Sequence, residues 1–218
     1  MSDTILITGA SGLLGRALVA KFSQEGFLVL AQYHKHPSPD SESVEWLAGD
    51  FSNSQSVQAF LRLHQKKLAA CQYLINNFGP ITERPTVDVT GRDLRVDFEL
   101  QLAPALDISR FLILQGCLRS VLNIGFEFSG KNRVYQQILG YALAKNALLL
   151  LTRSLAAAFP AVRFNLFSPP SLEGAAVLPK GTFPVAPHLV AARIFRIMKQ
   201  QRSGVNYHYA LVSRAKKK

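Results

Sequence analysis

Ile5 to Phe22, reading ILITGASGLLGRALVAKF, constrains this chain more than any other stretch. Ile5, Leu6 and Ile7 form a short continuous apolar run ending at Thr8, the pattern of a parallel strand covered on both faces. Gly9, Gly12 and Gly15 follow at three-residue steps. Without a Cβ, Gly9 permits a sharp exit from the strand, Gly12 lets backbone approach a ligand, and Gly15 lets the next helix lie close to the sheet. The free amides and positive dipole end of that helix suit a pyrophosphate. Gly9, Ser11, Gly12, Leu13, Leu14 and Gly15 are therefore expected to hold the phosphates of a nucleotide. The spacing is G-x-x-G-x-x-G and not the G-x-G-x-x-G of the dinucleotide fingerprint, so a turn serving packing alone is the alternative.

Strand-like and helix-like segments alternate from there on. Gly26 to Tyr33 reads as a second strand, Val44 to Leu47 as a third, and Ser54 to Leu68 as a helix with Val57, Phe60, Leu61, Leu63 and Leu68 apolar. Tyr73 to Gly79 reads as a fourth strand and its exit turn. Thr90 is placed to cap a helix over Gly91 to Gln115, with Pro104 as a bend and Leu94, Phe98, Leu102, Leu106, Phe111 and Leu114 as its apolar stripe. A fifth strand spans Ser120 to Gly125, a helix carries Tyr141 to Ala158, a sixth strand spans Val162 to Phe167, and Leu189 to Met198 and Tyr207 to Val212 give a last helix and strand. This order predicts an α/β, Rossmann-like doubly wound parallel sheet with helices on both faces and ligands at the strands' carboxyl ends. The 218 residues suffice for one substantial core and show no linker, so 1–218 is read as a single domain with a basic tail at 213–218.

Residue chemistry narrows the function. An acid at the end of the second strand would bind the ribose 2′-hydroxyl and repel a 2′-phosphate. The chain instead has Gln32-Tyr33-His34-Lys35-His36 there. His34 and Lys35 suit a 2′-phosphate, which favours NADP(H) over NAD(H), with a basic surface loop as the alternative. Tyr141 and Lys145, four apart, share one helix face. A phenol titrating near pH ~10 needs a neighbouring ammonium to serve as an acid-base catalyst at neutrality. Cys71 and Cys117 lack metal-ligand spacing and read as reduced structural thiols, and no metal site is expected. The net charge of +11 comes from scattered basic residues apart from Arg214 and Lys216 to Lys218, so nucleic acid is not the expected partner. The apolar run Leu148 to Leu151 is bounded by Lys145 and Arg153 and is too short to span a bilayer. With no signal-peptide pattern at the start, a cytoplasmic protein is expected.

Several of these segments together resemble the short-chain dehydrogenase/reductase family, over roughly Ile5 to Val212. Asn76-Asn77-Phe78-Gly79 is similar to its Asn-Asn-Ala-Gly motif, Tyr141-Ala-Leu-Ala-Lys145 to its active-site helix, and Asn165 through Pro169-Pro170 to its Asn-to-Pro-Gly turn. The Tyr-His-basic sequence at 33–35 is similar to the pteridine reductase branch. The resemblance implies that Asp50 accepts a hydrogen bond from adenine, with Phe51 packing on the ring and Asn77, Phe78 and Gly79 on the adenosine side. Asp50 or Ser52 capping the next helix is compatible with that. It further implies that Lys145 lowers the pKa of the phenol and holds the nicotinamide ribose, and that Pro169 lies by the carboxamide. Three positions depart from the family. Phe126 stands where a Ser contacts the substrate carbonyl, with Glu127 or Ser129 as replacements, and an aromatic there can stack on a flat substrate. Leu100 falls on the position of a relay Asn, and Pro170 replaces a glycine. Ser171 to Ala186 is where the substrate lid would lie. The all-round apolar helix after Tyr141 implies a homodimer or homotetramer, with burial inside a monomer as the alternative. The expected function is an NADPH-dependent reductase of a carbonyl or pterin-like small molecule. A catalytically impaired nucleotide-binding protein with a scaffolding role is the second possibility.

Overall fold

The computed structural model describes residues 2–126, 135–175 and 183–209. Within them the chain alternates β1 (Thr4–Ile7), α1 (Leu13–Gln24), β2 (Leu28–Tyr33), β3 (Val44–Ala48), α2 (Ser54–Leu63), α3 (Gln65–Leu68), β4 (Tyr73–Asn76), α4 (Gly91–Leu114), β5 (Ser120–Ile124), α5 (Leu139–Ala158), β6 (Arg163–Ser168), α6 (Pro187–Met198) and β7 (Asn206–His208). The described strands form one seven-stranded sheet in the order β3-β2-β1-β4-β5-β6-β7, and every pairing in it is parallel. Strand order reverses between β1 and β4, which opens a crevice at their carboxyl ends. The expected doubly wound α/β sheet is the observed one.

Each face of the sheet buries its own core. Ile5, Ile7, Val29 and Ile75 point to the side covered by α1 and α6, where Leu18, Phe22, Ile194 and Phe195 meet them. Leu6, Leu30, Leu74 and Val121 point to the other side, against Phe60, Ile108, Leu112 and Leu155 from α2, α4 and α5. Successive strand residues face opposite ways, so a strand covered twice must be apolar throughout. That is why β1 is buried at all four positions.

Several element-level expectations change. The helix over 54–68 is interrupted at His64, which ends α2 and precedes the single turn of α3. Its N-cap is Asn53, whose side chain accepts from the Ser56 N–H at 2.9 Å, and neither Asp50 nor Ser52 takes that role. Thr90 does cap α4, in a reciprocal capping box with Asp93. The buried face of α4 is not the anticipated stripe: Asp97, Gln101, Pro104, Ala105, Ile108, Ser109 and Leu112 point inward. Phe98 and Leu114 are exposed. On α5, Leu148 and Leu149 are buried while Leu143 and Leu150 lie open, so burial of the whole helix within one subunit is ruled out. Cys71 is buried, and burial pushes its thiol up to about 12, whereas Cys117 is exposed. Residues 210–218, with the basic tail and the end of the anticipated last strand, lie outside the described residues.

Candidate active site

The glycine turn after β1 is built as its sequence requires. Gly9 has φ +61, and a Cβ there would sit 3.0 Å from the Cα of Phe78. At Gly15 a Cβ would collide with the Gly9 carbonyl oxygen and lie 2.7 Å from the Ala10 Cα, so α1 can approach the turn only with hydrogen at that position. Gly12 is the N-cap of α1 and has no side chain to satisfy the helix amides. Those amides are available to an anion.

Two side chains clamp this turn. Gln32, buried at the end of β2, accepts from the Gly9 N–H at 2.7 Å and donates from Nε2 to the Gly49 carbonyl at 2.7 Å. Asn77 donates from Nδ2 to the carbonyls of Thr8 and Gly9, both at 3.0 Å. Thr8 Oγ1 in turn accepts from the N–H groups of Asn77 and Phe78. The glycine turn is thereby fixed between the ends of β2 and β4. Sequence reasoning anticipated Asn77 but missed Gln32 and Thr8. A polar residue closing an apolar strand was the available signal for Gln32.

A groove of about 350 Å³ runs along the turn, lined by Ser11, Gly12, Leu13, Gln32, His34 and Phe78 among others. It shares Leu14, Asn77 and Gly79 with a second depression of about 220 Å³ that reaches Tyr141, Lys145, Phe126 and Pro169. Lys35 is exposed beyond the groove's His34 end. Asp50 lies in the same neighbourhood. Burial raises its pKa, but hydrogen bonds from Ser52 and the charges of His34 and Lys35 together leave it below the usual carboxylate range. Phe51 does not face the groove: it is buried, edge-on to Phe60 at 5.1 Å and to Phe78 at 5.5 Å. Its expected contact with a bound base is replaced by a core role.

At the other end, α5 presents Tyr141 and Lys145 together, both buried. The Lys145 ammonium donates to the Ile124 carbonyl at 2.8 Å and lies 5.6 Å from the centre of the Tyr141 ring. Burial pushes Lys145 down to about 7 and raises the phenol of Tyr141 well above its ordinary value. The expected lowering of the phenol is therefore not seen: Lys145 lies over the Tyr141 ring, and burial raises the phenol's pKa. Phe126 meets Tyr141 edge to face at 5.5 Å. Glu127 and Ser129 lie outside the described residues.

Polar contacts behind the helix hold it in register. Asn76 donates to Asn123 at 2.8 Å, and Asn123 donates to Thr152 Oγ1 at 2.8 Å, which ties α5 to β5 two turns beyond Lys145. The inward side chain of α4 near Lys145 is Gln101, one residue after Leu100. A Cβ on Gly79 would collide with Gln101 Oε1 and lie 2.8 Å from Lys145 Nζ. Gln101 donates to the Pro80 carbonyl at 2.8 Å, and its buried Oε1 makes no hydrogen bond. A polar group therefore faces the lysine after all, at 101 and not at 100.

The fold and the groove define the class: a doubly wound α/β protein whose switch-point crevice joins a glycine turn to a tyrosine and a lysine. The chain belongs to the short chain dehydrogenase family, whose model matches residues 3–178. It is 27% identical over 164 residues to the uncharacterized oxidoreductase YvrD of Bacillus subtilis, covering 70% of this chain. The match spans 61% of that relative's length. It is 35% identical over 95 residues, 41% of this chain and 32% of the relative, to the NADPH-dependent 1-acyldihydroxyacetone phosphate reductase of Schizosaccharomyces pombe. Among solved structures, a short chain dehydrogenase from Leptospira borgpetersenii with bound NAD+ superposes with a TM-score of 0.83 at 21% identity, over 95% of this chain and 91% of that one. No helix among the described residues is long and apolar enough to cross a membrane.

Proposed function

We propose that the chain is a reductase that uses NADP(H) to reduce a carbonyl, or a conjugated imine such as that of a pterin, on a small apolar molecule. The observation that carries this reading is the pair of adjoining cavities, one from His34 along the glycine turn and one at Tyr141 and Lys145, which share Leu14, Asn77 and Gly79 as walls. The residues fit a dinucleotide. The positions where a Cβ would block the turn are glycine, the first amides of α1 are uncapped, and no acid closes β2. Gly9, Ser11, Gly12, Leu13, Leu14 and Gly15 would hold the phosphates. His34 and Lys35 would hold a 2′-phosphate, Asp50, Asn77, Phe78 and Gly79 the adenosine side, and Lys145 and Pro169 the nicotinamide end. When bound, the nicotinamide supplies the hydride.

Tyr141 gives the proton. Its raised pKa keeps the phenol protonated at working pH, and the Lys145 charge stabilises the phenolate left behind. Lys145 does this only while protonated, so reduction slows as pH rises through about 7. Val96, Phe98 and Leu114 on α4 and Leu143 and Leu150 on α5 are exposed on two helices packed together, which supports a homodimer or homotetramer formed through them. NADPH oxidation followed at 340 nm over a panel of aryl ketones, quinones and dihydropterins tests the activity. Tyr141→Phe should lower kcat by about 10²–10⁴-fold. Turnover that is indifferent to this change would exclude Tyr141 as the acid.

A further inference from the structure

We propose that the Ser171 hydroxyl is the second hydrogen-bond donor to the substrate's oxygen, beside Tyr141; this rests on the reductase reading above. Charge that develops on a carbonyl oxygen during reduction is best met by more than one donor, each already aimed at it. The cavity around Tyr141 is walled mostly by carbon: Ile81, Ile124, Phe126, Ile138 and Leu172 contribute no donor.

The polar side chains of the wall, among the described residues, are Asn77, Tyr141, Lys145 and Ser171. Asn77 spends both of its Nδ2 protons on the Thr8 and Gly9 carbonyls. Lys145 donates to Ile124 and packs beside Tyr141, Gly79 and Gln101. Pro169 and Pro170 carry no N–H, and the Gly125 N–H is used by the Phe167 carbonyl at 2.8 Å. Ser171 is half-buried, and its hydroxyl donates to no protein group among the described residues.

Ser171 is also held in place, as a preorganised donor must be. Two prolines precede it and restrict the chain's approach. The Ser171 carbonyl accepts from the Val185 N–H at 2.9 Å, and the Glu173 N–H donates to the Val185 carbonyl at 3.0 Å. These bonds bracket the Leu172–Val185 bridge, so the segment is tied down on both sides of residue 172. The hydroxyl absent at 126 is thereby supplied from β6's exit loop.

The test is steady-state reduction of phenanthrenequinone and of aryl ketones by the full chain with NADPH. Ser171→Ala should lower kcat/KM by about 10–10³-fold, with NADPH affinity and Tm unchanged, and Ser171→Thr should restore most of the rate by returning the hydroxyl. An undiminished kcat/KM in Ser171→Ala, with Tyr141→Phe inactive, would overturn the role of Ser171 and leave the reductase reading standing. Equal losses in Ser171→Ala and Ser171→Thr would show a packing effect and also overturn it. No NADPH oxidation by the unmodified protein with any carbonyl tested would bring down both.

Discussion

The two ends of the groove are built on opposite principles. At the glycine end the groove follows a backbone turn braced by side chains: Gln32 and Asn77 bond the turn directly, Gln32 also reaches the Gly49 carbonyl, and Thr8 accepts from the Asn77 and Phe78 N–H groups. At the tyrosine end the surface is side chain on an apolar wall, with few donors and several rigid residues. The contrast teaches that the first end is inseparable from the fold, since its geometry and the sheet's are one hydrogen-bond network. The second end can be altered residue by residue with the sheet intact. Phe126 and Pro170 are such alterations, and neither disturbs the strand register beside it.

If the first end is part of the fold, damage there should cost stability. Gly15→Ala puts a methyl into backbone that cannot retreat. It should destabilise by about 3 kcal/mol, lowering Tm by roughly 6–12 °C in thermal melts. A Tm within 2 °C of the unmodified protein would break the comparison at its strongest point.

The opposite sign is expected at the tyrosine end. The folded-state pKa of Lys145 lies below its unfolded value of ~10.4. The burial penalty on its charge is therefore full below pH 7 and fades as pH rises toward 10. Lys145→Met should raise Tm by roughly 5 °C at pH 6, with the gain shrinking by pH 10, while abolishing activity. A loss of Tm at pH 6 would show that the lysine is structural. Lys145→Arg, which keeps its charge at all working pH values, should flatten whatever activity it retains above pH 7.

Smaller effects sharpen the picture. Gln32→Leu removes the clamp between the turn and β3 and should weaken NADPH binding by about tenfold, since a buried donor and acceptor lose their partner. Leu150→Glu should shift sedimentation toward monomer if α4 and α5 form the subunit contact. Lys35→Ala should weaken NADPH a few-fold and leave NADH unchanged, because the residue is exposed and its charge is screened. An equal effect on both nucleotides would reject the 2′-phosphate role.

The sheet was legible in the sequence because parallel strands buried on both faces are short unbroken apolar runs, as in Ile5 to Ile7 and Val121 to Leu122. The glycine turn was legible because only glycine satisfies its sterics. The inward face of α4 was not: apolar periodicity counts carbon, and this helix turns Asp97, Gln101 and Ser109 toward the core and Phe98 outward. The same counting gave no sign of Gln101, the polar side chain of α4 that lies near Lys145. Phe51 was misplaced because an aromatic beside a partly exposed acid can be read equally as a binding residue or as core. The pairing of Tyr141 with Lys145 was readable from helical spacing, but the direction of the phenol's shift was not, since it depends on burial that a sequence does not state.

The central claim is that the glycine turn holds the phosphates of a pyridine dinucleotide. Calorimetric titration of the purified chain with NADPH and, separately, with NADH tests it most directly. The account predicts saturable one-site binding with NADPH the tighter of the two. Absence of binding heat for either nucleotide, in a protein whose melting curve shows it folded, would contradict it.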